Sequence, residues 1–272
     1  MKKLLISLLL LGLPCYAVTE YTIGNMENME PQELIKILDE HKIKTQKDFE
    51  VYYTNLLNYI ETKNTSTWGD IPYSTEHANE DIKKFFAREN YNAPIIKIDK
   101  GHAMWGSMIN YQYLYKYENI LSQAWKDYLL ININEYNQIN KDKEVPTGYY
   151  YEGISYDITL IPDFIIARRK FINKYPDFPF NWLNEKQIKW FLSDLIDDKW
   201  QIHDFSNTYP NKLNDKTKTT YIRALNLFEK DSLEYQILNE WYNILKENNF
   251  RFTKEVTKHA NNGWVWFLDS QD

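Results

Sequence analysis

Cysteine is nearly absent from this 272-residue chain, which holds Cys15 alone. Glycine is also scarce at 8 residues, which excludes a collagen-like or linker-dominated chain. No Gly-x-x-x-x-Gly-Lys cradle for phosphate occurs, and no Gly-x-Ser-x-Gly elbow for a serine nucleophile. The nearest approach, Trp105-Gly106-Ser107-Met108, has one glycine. There are five histidines and no His-Glu-x-x-His spacing. Arginine is limited to Arg88, Arg168, Arg169, Arg223 and Arg251, and the net charge is -6. Phosphate binding needs clustered positive charge, so a nucleic-acid partner is not expected.

The N-terminus reads as an address. Lys2-Lys3 is a basic start, Leu4 to Leu13 is apolar, Pro14 breaks the run, and Cys15-Tyr16-Ala17 sets small residues for cleavage after Ala17. Residues 1–17 are therefore expected to be a bacterial signal peptide, sending residues 18–272 to the periplasm or the exterior. Lipid attachment at Cys15 is disfavoured, because Gly12, Leu13 and Pro14 do not make a lipobox. No later run approaches the roughly 20 apolar residues of a membrane span, so no transmembrane anchor is expected after cleavage. The mature chain would be free of cysteine, which excludes disulfides and thiol chemistry. Losing Lys2 and Lys3, two positive charges, takes the net charge from -6 to -8.

What the chain has in abundance is aromatic surface, with 22 Tyr, 13 Phe and 9 Trp. Helical spacing dominates their arrangement. Pro31 opens a first helix. Thr45 and Asp48 mark the start of a second, with Phe49, Tyr52, Tyr53, Leu56, Leu57 and Ile60 on one face. A helix is predicted near 75–89 and an extended segment at 94–98. Trp105, Met108, Ile109 and later Ile120, Leu121, Ala124, Trp125 and Tyr128 predict one long helix or two abutting ones over 102–140. A loop at 141–156 is the candidate sub-boundary.

Pro162 opens the next helix, Asn184 is expected to cap another, and Asp231 with Glu234 has capping-box spacing. Asn261-Asn262-Gly263 suggests a C-terminal β-hairpin. The expected fold is a mainly α single globule of about eight helices.

Asn119 to Tyr128, with Ala124-Trp125 and Tyr128, resembles the signature helix of the small secreted lysozyme-inhibitor family over about ten residues. Leu129 stands where that family has arginine, and its cysteines are missing. No function is carried over.

Candidate chemistry is sparse. His77 and Asp81, four apart on a predicted helix, could converge with His102 as a metal site or acid/base cluster. Their ordinary use is as solvated groups near a helix N-terminus. Glu89, Glu118, Glu152 and Asp163 are carboxylates beside aromatic clusters. No cofactor is expected.

The stripe aromatics Phe49, Phe85, Trp125, Phe191 and Trp241 are core positions. Loop aromatics are the binding candidates: Trp68, Tyr73, Tyr149, Tyr150, Tyr151, Trp182, Trp264 and Trp266, with Tyr175, Phe178 and Phe180 beside Trp182. Tyr and Trp suit both sugar stacking and protein contact. The expectation is a non-catalytic binding protein with a protein or envelope-glycan partner; the alternative is an envelope hydrolase acting on glycan or peptide bonds.

Overall fold

Apolar side chains at helical spacing need a common interior, and the structure shows how they find it. A computed structural model describes residues 43–66, 94–101, 104–141, 157–196, 212–253 and 256. Among them are seven α-helices and one two-stranded sheet, so the architecture is mainly helical.

Helix α1 (Gln46–Ser66) starts where the sequence indicated. Thr45 Oγ1 accepts from the Asp48 backbone N–H at 3.2 Å, and Asp48 Oδ2 accepts from the Thr45 N–H at 2.9 Å. This reciprocal cap satisfies donors the first turn would otherwise leave open.

The extended segment becomes β1 (Ile95–Gly101), paired antiparallel with β2 (Met104–Ile109) from Ile95↔Ile109 to Gly101↔Met104. β2 corrects the expected helix over 102–140. Three apolar positions at 105, 108 and 109 fit either period over so short a run, and Gly106 disfavours a helix interior. Helical structure begins only at α2 (Tyr111–Leu114), where the Asn110 side chain accepts from the Tyr113 N–H at 3.1 Å. A 3₁₀ segment (Tyr115–Ile120) leads to α3 (Gln123–Ile139).

Helix α4 (Ile161–Lys174) carries Pro162 in its first turn, as expected. Helix α5 (Asn181–Ile196) begins three residues before Asn184, which is fully buried inside it rather than capping it. Helices α6 (Asp215–Leu227) and α7 (Leu233–Glu247) complete the set. The cap of α7 is Ser232, not Asp231, with Ser232 Oγ accepting from the Tyr235 N–H at 3.2 Å. After α7, Asn249 and Phe250 take left-handed φ values of 54° and 57°.

Among the described residues, two apolar clusters form the interior. One gathers Phe49, Tyr53, Leu56, Trp125, Tyr128, Phe171 and Phe178. The other gathers Ile139, Phe164, Ile165, Phe191, Leu195, Tyr221, Leu238 and Trp241. The stripe aromatics Phe49, Trp125, Phe191 and Trp241 are all buried, as their spacing implied. Phe85, the helices near 31 and 75–89, the loop expected at 141–156 apart from Lys141, and the C-terminal hairpin lie outside the described residues.

Candidate functional site

Trp125 is the centre of the first cluster. Its ring lies 4.9 Å from Phe178, 5.0 Å from Phe49 and 5.2 Å from both Tyr53 and Phe180. The indole N–H donates to Glu50 Oε1 at 3.0 Å, which meets the one polar need of an otherwise apolar ring. Tyr53 and Tyr128 join their hydroxyls at 2.7 Å. Burial pushes the Tyr53, Tyr111 and Tyr128 phenols above their ordinary value, Tyr53 and Tyr128 well above it.

Phe178 and Phe180, grouped by sequence with the loop aromatics, therefore belong to the core. Phe178 is buried and Phe180 packs against the same cluster. The segment that carries them is fixed by Asn181, whose side-chain N–H₂ donates to the carbonyls of Tyr175 at 2.7 Å and Pro176 at 3.1 Å. Trp182, the next residue, is 50% exposed. It is a large indole on the first turn of α5, adjacent to a residue that ties the preceding loop down.

Beside this segment lies an open groove of about 300 Å³ between α3 and α4. Leu130, Ile131, Ala167 and Phe171 give it apolar walls, and Asp127, Asn134, Lys170, Lys174 and Tyr175 give it polar ones. Leu130 is 38% exposed there. Asp127 Oδ2 accepts from Lys174 Nζ at 2.9 Å and from Tyr175 Oη at 2.7 Å, while Oδ1 accepts from Gln123 at 2.7 Å. Partial burial alone would raise the Asp127 pKa, but these three donors outweigh it and hold the group below its ordinary 3.8. Lys174 is pushed up to about 12, first by Tyr175 and then by Asp127.

The two adjacent arginines of α4 serve the frame. Arg168 and Glu135, each 2% exposed, form a buried ion pair. The same guanidinium donates to Asn184 Oδ1 at 2.8 Å and Asn132 Oδ1 at 2.9 Å, so one side chain links α3, α4 and α5. Arg169 pairs with Glu185 at 2.7 and 3.0 Å and also with Glu234. Glu234 is thus a buried partner of Arg169 between α7 and α4, not a capping-box group. Sequence reasoning missed this node; the available signal was two neighbouring arginines in an arginine-poor chain.

Asp163, one of the suspected carboxylates, is 54% exposed and bonded to Arg223 at 2.6 Å. Glu118 lies in the 3₁₀ segment. Glu89 and Glu152 lie outside the described residues, as do Asp81 and all five histidines, His77 and His102 among them. So do Trp68, Tyr73, Tyr149, Tyr150, Tyr151, Trp264 and Trp266. Among the described residues no three His, Cys, Asp or Glu side chains gather as metal ligands. No described helix is long and apolar enough to cross a membrane.

No protein family, no curated protein and no solved structure matches the chain.

Proposed function

We propose that this chain is a non-catalytic binding protein of the periplasm or the exterior, contacting a protein or envelope-glycan partner through aromatic side chains outside its core. The observation that carries the reading is the contrast within residues 175–182. Phe178 turns inward and Tyr175 and Phe180 pack at the edge of the same cluster, whereas Trp182 stays half exposed on a fixed helix start. An exposed indole on a rigid support presents large contact area and loses little conformational freedom on binding. The signal-like segment at residues 1–17 supports the extracytoplasmic setting.

The test is to titrate the full chain with soluble peptidoglycan fragments and, separately, to place a photo-crosslinking residue at position 182 in cells. A glycan partner gives tryptophan quenching that Trp182→Ala weakens about tenfold or more; a protein partner gives a discrete crosslink. Absence of both responses, or equal binding by Trp182→Ala, overturns the proposal.

A further inference from the structure

The geometry points to the groove between α3 and α4 as a second binding site, separate from Trp182, that takes the apolar C-terminal residue of a peptide. Its walls, Leu130, Ile131, Ala167 and Phe171, suit an aliphatic or aromatic side chain. Leu130 is already 38% exposed there, so a ligand would cover apolar surface that the fold leaves wet.

The charge around these walls selects the other half of the ligand. Asp127 is the one carboxylate lining the groove, and it is engaged by Lys174, Tyr175 and Gln123. Lys170 is exposed on the same wall as Lys174, one helical turn earlier, and no carboxylate of the described residues pairs with it. An anionic group placed beside the apolar walls would meet this ammonium, and the Asn134 amide is at hand for a backbone carbonyl or N–H. A volume of about 300 Å³ is at the small end of ligand pockets, enough for a terminal residue rather than a long segment. Because the groove is open to solvent, the rest of the peptide can run out of it. That favours a chain end over an enclosed free acid.

The probes are acetyl-Leu-Leu with a free carboxylate, the same dipeptide as its C-terminal amide, and hexanoate. Binding to the full chain is followed by amide chemical shifts in nuclear magnetic resonance. The free dipeptide is expected to shift signals of residues 127–134 and 167–175, and the amide to bind about tenfold more weakly. Lys170→Gln should remove that preference and Lys170→Arg restore it, and Leu130→Ser should weaken both dipeptides. Both Lys170 and Leu130 are exposed, so the variants are expected to fold, which circular dichroism checks. Equal binding of acid and amide, shifts confined to other residues, or no binding by the dipeptide would overturn the proposal. Hexanoate binding as tightly as the dipeptide would overturn the assignment to a peptide end.

Discussion

Replacing Glu135 with leucine tests the buried ion pair directly. Arg168 and Glu135 are both 2% exposed, so removing the carboxylate leaves a guanidinium in the interior with amide oxygens of Asn132 and Asn184 as its described acceptors. Breaking one side of such a pair costs about 3–5 kcal/mol. The two amide acceptors place Glu135→Leu near the lower end, about 3–4 kcal/mol, and the shape-conserving Glu135→Gln near 2 kcal/mol. Arg168→Met alone should cost a similar 3–5 kcal/mol, because it orphans the carboxylate.

The double variant removes both charges and leaves Asn132 and Asn184 each short of one hydrogen bond, at about 1 kcal/mol apiece. It should therefore lie only about 2 kcal/mol below the parent, far less than the sum of the single losses. Urea unfolding followed by circular dichroism measures each difference, with the slope checked for constancy. In thermal scans Glu135→Leu should lower the midpoint by roughly 6–16 °C, at about 2–4 °C per kcal/mol for a chain of this size. A loss below about 1 kcal/mol for Glu135→Leu, or a double variant as unstable as the summed singles, would refute the reasoning.

Tyr53→Phe removes one half of the 2.7 Å hydroxyl pair with Tyr128 and should cost about 1–2 kcal/mol in urea unfolding; no change would mean that Tyr128 finds a substitute. Thr45→Ala strips the Asp48 N–H of its acceptor and should cost about 1 kcal/mol, read from the same transition. The folded Asp127 carboxyl sits below its ordinary 3.8, so its contribution is complete above that value and is lost as pH falls through the lower folded one. Lys174 is raised from 10.5 to about 12, so its contribution is complete below 10.5 and fades as pH rises through about 12. Asp127→Asn should therefore lose less stability than the parent between pH 5 and pH 3, by urea midpoints. Identical losses in the two proteins would contradict the assignment.

Local signals in the sequence were reliable where they were reciprocal or long. Thr45 and Asp48 each satisfy the other's backbone, and α1 begins there. The stripe through Phe49, Tyr53 and Leu56 runs for two turns and is buried throughout. Short or degenerate signals failed. The run containing Gly106 was too brief to separate a period of two from one of 3.6. Asp231 and Ser232 are both of residue types that favour capping, and only the 3.2 Å contact from Tyr235 singles out Ser232.

Asn184 has the chemistry of a cap but is used as a buried acceptor for Arg168, a partner 16 positions away. The inward turn of Phe178 likewise depends on Trp125, more than 50 residues earlier in the sequence. Such pairings have no local signature. The groove was invisible for the same reason, since Leu130 and Lys170 meet only when α3 and α4 pack.

Helices α3 and α4 each serve both interior clusters. On α3, Trp125 belongs to one and Ile139 to the other, about 21 Å apart along the axis. On α4, Phe171 and Phe164 are divided in the same way. Opening a shared helix at one end of its packing loosens the frame of the other, so the two clusters are expected to melt together. Amide protons from the two ends of α3 should exchange with solvent through one common opening event, with similar protection and the same response to denaturant.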